Sequence, residues 1–173
     1  MLHSEISECS VIEIWKVMLM QYNAPMLQRL NGSDNDLTED DIAKADAFVS
    51  MLTENLHLIN DCVLIRMPTF DMTDKNKLKR YVTDEIGLEA CQNEINLNIE
   101  MSVDPIGVDL ALYFFREFNK RLKNKYNYEF CSILSEDDGG CWIFRFHRIR
   151  ENGAMWINSN LDTYSDPVLY EVF

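Results

Sequence analysis

The sequence predicts an α+β fold in which a helical N-terminal part packs on a C-terminal antiparallel β-sheet. Two runs rich in aromatic and β-branched residues flank the turn at 136–140, and a third run follows residues 151–153, as in a β-meander. Upstream of this region, apolar residues recur mainly at helical spacing. A chain of 173 residues with 47% hydrophobic composition is also large enough for one buried core.

We therefore expect one domain over residues 1–173, built from three parts. Residues 1–61 form an acidic helical part, residues 62–127 mix helices and strands, and residues 128–173 form the meander. The first part holds eleven acidic and three basic residues, a net charge of −8, and is the most acidic per residue. Its exposed faces should therefore produce a negative field.

Two helices are predicted in the first part. Apolar residues from Ile6 to Tyr22 recur at roughly helical spacing and predict a helix that ends near Asn23, shortly before Pro25. A polar segment then leads to Thr38, which is placed to cap a second helix. The apolar positions of this second helix are Ile42, Ala45, Val49, Leu52, Leu56 and Ile59.

The middle part begins with an apolar run at 62–67, which predicts a buried strand or connector. Residues 73–87 predict a third helix, with Thr73 as the N-cap and Gly87 at the end. Strict alternation of apolar and polar residues over 95–103 predicts a strand with one solvated face.

Asp104 and Pro105 are suited to open the next helix, with the aspartate as N-cap and the proline at its first position. The buried side of this helix is expected to comprise Leu110, Ala111, Phe114, Phe115 and Phe118. At the end of the sequence, residues 168–173 are apolar, which predicts a last strand or a segment packed on the core.

In the central strand of the meander, Trp142, Phe144 and Phe146 share one face, which we predict to be the core face. Arg145 and His147 share the opposite face. An arginine and a histidine there are compatible with acid–base chemistry, but we favour exposed structural residues because no partner group is located.

The charge balance limits the classes of partner. The chain holds 29 acidic and 16 basic residues, a formal net charge of −13. This charge argues against direct binding of a nucleic-acid backbone or an anionic membrane and favours a basic partner surface. Charge that serves only to keep the protein soluble is the competing interpretation.

No pattern of a metal, cofactor or catalytic site is present. The five cysteines form no C-x-x-C pair, and the acidic segment that contains Asp34, Asn35 and Asp36 lacks the spacing of a calcium loop. Phosphate-binding glycine loops, nucleophile elbows and H-E-x-x-H motifs are also missing. We therefore expect a protein that is not an enzyme and has no cofactor.

The sequence also predicts a cytoplasmic protein. Cysteines without a disulfide framework suit a reducing compartment. The first residues include Glu5, Glu8 and Glu13 instead of a basic signal region, and no apolar run approaches the roughly 18 residues of a membrane span.

In size, acidity and the aromatic character of residues 141–150, the chain resembles bacterial immunity proteins, including those of contact-dependent growth inhibition. The resemblance implies a protein that neutralises a cognate toxin domain, often a basic nuclease, by steric and electrostatic blocking. The alternatives are a phage or mobile-element anti-defence protein that acts as an acidic DNA mimic, and a small hydrolase that uses Arg145 and His147.

Two acidic clusters are the candidate contact sites for such a partner, because both are predicted to lie in accessible loops or helix starts. The first cluster consists of Asp34, Asp36, Glu39, Asp40 and Asp41. The second, at the tip of the first hairpin of the meander, consists of Glu136, Asp137 and Asp138. The sequence leaves open which of the two makes the contact.

Overall fold

A computed structural model describes residues 20–33, 37–69, 84–151 and 153–173. Its helices are α1 (Ala24–Asn31), α2 (Glu39–Glu54), α3 (Glu85–Gln92), α4 (Leu97–Glu100) and α5 (Val108–Lys125). Its strands are β1 (Met20–Tyr22), β2 (His57–Ile59), β3 (Cys62–Leu64), β4 (Ile95–Asn96), β5 (Phe130–Glu136), β6 (Trp142–Arg148) and β7 (Val168–Val172). The predicted α+β class is confirmed. None of the described helices is long and apolar enough to cross a membrane.

The larger sheet has the strand order β1-β7-β5-β6-β4, and every neighbouring pair is antiparallel. The predicted hairpin is present, with Glu136 opposite Trp142 at its closed end. The third strand of the predicted meander is wrong: the run after Gly153 forms no strand, and β7 pairs with β5 instead. A separate two-stranded hairpin joins β2 and β3.

One face of the sheet packs against α5, which in turn packs against α2. Phe144 lies at the centre of this core, with its ring 5.3 Å from that of Phe114, 6.0 Å from Phe115 and 4.9 Å from Phe118. Trp142 and Phe146 are also buried, so the predicted core face of the strand is confirmed. Such edge-to-face aromatic contacts stabilise the core beyond the effect of area burial alone.

The other face of the sheet is covered by the irregular segment that connects β6 to β7. Ile157 and Leu161 of this segment are buried against Cys131, Ile133 and other residues of the outer face. The apolar run after Gly153 therefore forms a layer over the sheet instead of adding a strand to it.

Three predicted helix boundaries need correction. Most of the predicted first helix lies outside the described residues, but its last part, 20–22, is a strand. The second helix begins after Thr38 as predicted and ends at Glu54, so Ile59 belongs to β2. Most of the predicted helix over 73–87 also lies outside the described residues. Gly87 does not end a helix, because α3 begins after Asp84 and continues past it.

The long strand that the alternation over 95–103 predicts is wrong. Only Ile95 and Asn96 pair with β6, after which the Asn96 side chain caps α4 by accepting a hydrogen bond from the Ile99 amide. The following long helix exists, but it starts at Val108 with Gly107 as its N-cap, so Asp104 does not cap it.

Candidate partner-binding site

The parallel packing of α2 on α5 brings the N-termini of both helices to the same end of the molecule. The contacts follow the same order along both helices. Tyr113 donates a hydrogen bond to Asp46 (3.1 Å), and next along both helices the rings of Phe48 and Phe114 lie 5.6 Å apart. Further on, the Arg121 guanidinium donates to Ser50. The positive ends of the two helix dipoles therefore lie side by side.

The hairpin between β5 and β6 reaches the same end. After α5 the chain turns back along the sheet, and the Trp142 indole N–H donates to the Ile106 carbonyl, two residues before α5 (3.0 Å). At this end Arg29 Nε lies 2.6 Å from Glu136 Oε2, and the Ser33 hydroxyl donates to the Asp109 carboxylate. The described residues of the two predicted acidic clusters thus lie at the same end, although about a hundred residues separate them in sequence.

A groove of about 450 Å³ lies at this end, between the start of α2 and the start of α5. The Asp41 and Asp109 carboxylates belong to its lining, together with the apolar residues Leu37, Val103, Pro105, Ile106 and Leu110. We refer to the surface formed by Glu39, Asp40, Asp41, Asp109, Asp137 and Asp138 as the acidic end. It combines negative charge with an apolar recess.

In the first cluster, Asp34 and Asp36 lie outside the described residues, whereas Glu39 and Asp40 are exposed. Asp41 is half-buried and forms a complete capping box with Thr38. Its carboxylate accepts hydrogen bonds from the Thr38 hydroxyl and amide, which lower the pKa of Asp41. Asp41 is therefore charged but fixed in position.

In the second cluster, Glu136 is buried in β5 and paired with Arg29, so it is not part of the exposed hairpin tip. Asp137 is exposed, but its Oδ1 accepts hydrogen bonds from the amides of Gly139 (3.0 Å) and Cys141 (2.8 Å) and shapes the turn. Asp138 is exposed. The tip therefore offers Asp137 and Asp138 to a partner.

Arg145 and His147 form no common site. His147 is completely buried, not exposed as expected; its Nε2 accepts from the Trp156 amide (3.2 Å), so its Nδ1 carries the proton and donates to the Arg148 carbonyl (3.1 Å). Burial lowers the pKa of His147 and favours this neutral form. Arg145 pairs with Glu94 (2.6 Å) and stacks over the Trp156 ring.

The most extensive buried polar network was missed by sequence reasoning. The fully buried Glu89 of α3 accepts hydrogen bonds from the amides of Val63 (2.8 Å) and Arg148 (3.1 Å) and from the Arg150 guanidinium (2.9 Å). Burial raises the pKa of Glu89, while Arg150 and the two amides oppose that shift. The carboxylate thus satisfies backbone groups of both β3 and β6.

Asn93, one helical turn beyond Glu89, repeats this role. Its amide accepts from the Ile65 N–H (2.8 Å) and donates to the carbonyls of Val63 (2.8 Å) and Phe146 (3.1 Å). Polar residues four apart on an otherwise apolar helix face are the only local sign of this network. We call Glu89, Asn93 and Arg150 the α3 network; it joins the small hairpin to the main sheet and is structural.

The part of the chain that the structure describes contains no group of three or more His, Cys, Asp and Glu residues that could hold a metal ion. A model of the Uncharacterized protein PM0498 family matches residues 21–172, which include the acidic end and the α3 network. Neither a curated protein nor a solved structure matches the chain.

Proposed function

The chain belongs to the Uncharacterized protein PM0498 family, and we propose that it is an immunity protein whose acidic end binds and neutralises a cognate toxin domain. The partner is a basic protein, of the nuclease class. The observation that carries the proposal is the position of two acidic segments, distant in sequence, at one end of the molecule, where Asp41 of the first segment lines a groove that also has apolar residues in its walls.

Charge and shape have separate parts in this mechanism. A negative surface accelerates the encounter with a basic protein, and this acceleration decreases as salt screens the charges. The lifetime of the complex depends on buried anchors, for which the groove beside Leu37 and Ile106 offers an apolar recess of about 450 Å³. A toxin held in this way loses access to its substrate without any reaction on the immunity protein.

Helix capping accounts for part of the acidic end. Asp41 belongs to a capping box, and Glu39, Asp40 and Asp109 lie in first helical turns, where negative charge is favourable. Asp137 and Asp138 lie in a hairpin and have no helix to cap. Because both lie at the same end, the negative charge there is greater than helix capping alone explains.

The polarity of α5 argues against the DNA-mimic alternative. Its last turns present Lys120, Lys123 and Lys125, which are exposed at the end opposite the acidic end. A DNA mimic needs carboxylates along an elongated surface, and these lysines interrupt the negative charge along α5. The hydrolase alternative has no support either, because both ring nitrogens of His147 already bind backbone groups.

We place this action in the cytoplasm. The four cysteines among the described residues are all free thiols. Unpaired cysteines are typical of proteins that work in a reducing compartment.

The test uses two charge-reversed variants of the full chain. One carries Glu39→Lys and Asp138→Lys at the acidic end, and the matched control carries Glu54→Lys and Glu129→Lys at the other end. All four residues are exposed, and both variants change the net charge equally. Tagged wild type and both variants are used for capture from the native host, and the captured protein is then purified for binding kinetics at several salt concentrations.

We expect the wild type and the control to capture one basic protein with toxic activity. The acidic-end variant should fail to capture this protein. With the purified partner, the acidic-end variant should associate roughly tenfold or more slowly and show a weaker dependence on salt. Equal association rates for both variants would contradict the assignment of the acidic end. If the captured protein is instead a DNA-binding enzyme and duplex DNA displaces it, the result would favour the DNA-mimic alternative.

A further inference from the structure

A second cleft, of about 390 Å³, lies between the C-terminal half of α5 and the end of β7. Its lining includes Met20, Arg116, Asn119, Lys123, Glu171 and Phe173. None of these residues belongs to the acidic end or to the α3 network. We call it the α5–β7 cleft.

The polar wall of this cleft contains hydrogen-bonding capacity that is not used. Asn119 is only 4% exposed, and its Nδ2 donates to Glu171 Oε2 (2.9 Å), which fixes the orientation of the amide. Within the described ranges, its buried Oδ1 has no hydrogen-bond partner. A buried acceptor without a partner is unfavourable, so a water, an ion or a ligand is expected to supply the missing donor.

A second unpartnered atom lies on the strand that pairs with the one that carries Glu171. Ser132 of β5 is directly opposite Glu171 of β7 and is fully buried. Its hydroxyl also has no hydrogen-bond partner among the residues that the structure describes. Ser132 does not line the cleft, so the acceptors of the polar wall are the Glu171 carboxylate and Asn119 Oδ1, whose complement is a ligand group with N–H donors and a positive charge.

The rim of the cleft is mainly cationic, because Glu117 there is paired with Lys120. Arg116 and Lys123 lie three residues before and four residues after Asn119, so all three share one face of α5. Neighbours at this spacing have Cβ atoms about 5–6 Å apart, which places the two cations on either side of the amide. A negatively charged ligand group is favoured there.

Another wall of the cleft is apolar. The side chains of Met20 and Phe173 line the cleft, and the Phe173 ring lies 6.0 Å from that of buried Phe130. The volume of about 390 Å³ is in the range of small-molecule sites.

We propose that the α5–β7 cleft binds a small zwitterion of the amino-acid class with an apolar side chain. The ammonium group lies toward Glu171 and Asn119, the carboxylate toward Arg116 and Lys123, and the side chain against Met20 and Phe173. This site is independent of partner binding at the acidic end.

The test measures binding to the full chain by amide chemical shifts and calorimetry, with L-leucine, L-methionine and L-phenylalanine as probes. Two analogues of leucine separate the charges: 3-methylbutylamine lacks the carboxylate, and 4-methylpentanoate lacks the ammonium group. We expect at least one amino acid to shift the amides of residues 116–124 and 171–173 saturably, with a Kd of about 1 mM or below. For leucine, we expect each analogue to bind at least about tenfold more weakly, because it loses one of the two charge pairings.

Variants assign the binding to the cleft. Glu171→Gln and Lys123→Gln should each weaken binding by about tenfold, whereas Lys44→Gln, the same change of charge far from the cleft, should leave it unaltered. If Glu171→Gln lowers the folded population, Lys123→Gln decides alone, because Lys123 is exposed.

The absence of saturable shifts with all three amino acids, up to about 20 mM, would overturn the proposal and leave an ordered water as the partner of Asn119 and Ser132. Equal binding of leucine and its analogues would also overturn it, as would equal effects of Lys123→Gln and Lys44→Gln.

Discussion

Replacing Glu89 with alanine should destabilise the protein by about 3–5 kcal/mol, the range for removing one partner of a buried ion pair. The substitution leaves the Arg150 guanidinium without its carboxylate and the amides of Val63 and Arg148 without an acceptor. Each buried amide left unpaired costs about 1–3 kcal/mol by itself, and the contributions overlap. A loss of this size is a large part of the 5–15 kcal/mol that typically stabilises a domain.

The measurement is urea unfolding of the wild type, Glu89→Ala and three further variants, followed by far-UV circular dichroism. Glu89→Gln keeps the shape and one acceptor, so we expect an intermediate loss of about 1.5–3 kcal/mol. Glu100→Ala is the matched control, because Glu100 pairs with Arg66 at the surface and exposed pairs contribute about 0–1 kcal/mol. Arg150→Met tests the other half of the pair and should resemble Glu89→Ala in size.

A loss for Glu89→Ala as small as that for Glu100→Ala would refute the structural role of the α3 network. The pH dependence gives a second check. Because the folded pKa of Glu89 is raised above 4.5, the folded state binds this proton more strongly than the unfolded state does. Stability should therefore decline as pH rises from about 4.5 through the folded pKa, and Glu89→Gln should lack this contribution.

Three further outcomes are expected. Burial lowers the pKa of His147 below 6.5, so the unfolded state takes up a proton at higher pH than the folded state does. The stability of the wild type should therefore fall as pH drops below about 6.5. In urea unfolding at pH 7 and 5, His147→Gln should show a smaller change in stability between the two pH values. Phe144→Ala should cost about 3–5 kcal/mol in the same assay. Thiol labelling read by peptide mass spectrometry should modify exposed Cys91 in the native protein. Cys62 and Cys131, whose pKa burial raises to about 12, should react only after unfolding.

Local signals in the sequence predicted the elements whose stabilisation is local. Thr38 and Asp41 stand three residues apart before an apolar run, and both hydrogen bonds of the capping box form. The alternation of Trp142, Phe144 and Phe146 likewise identified the buried face of β6. In both cases the information lies within a few residues of the element itself.

The same kind of signal misled where the chain offers a competing local structure. Residues 95–103 alternate like a strand, yet the Asn96 side chain caps a helical turn, and Ile99 of that turn is 71% exposed. Beyond β4, backbone groups at the edge of β6 form hydrogen bonds with side chains instead of with another strand. Asn98 accepts a hydrogen bond from the Trp142 amide, and Asn93 donates one to the Phe146 carbonyl. These partners are set by tertiary packing, which periodicity does not report.

For the candidate site, the sequence supplied two separate acidic clusters and no means of relating them. Their position at one end depends on the parallel packing of α2 on α5 and on the return of β5 toward Ile106. The α3 network had no sequence signal beyond two polar residues on an apolar helix, because its partners, Val63 and Phe146, are distant in sequence.

The position of β7 has a consequence for how the protein is made on the ribosome. Tyr22 pairs with Leu169, so the first strand of the sheet has its neighbour only after roughly 150 further residues have been synthesised. At typical elongation rates of about 5–20 residues per second, β1 waits roughly 7–30 s beside an incomplete sheet. Nascent chains that stall before residue 168 should therefore be the forms that chaperones bind and proteases cut.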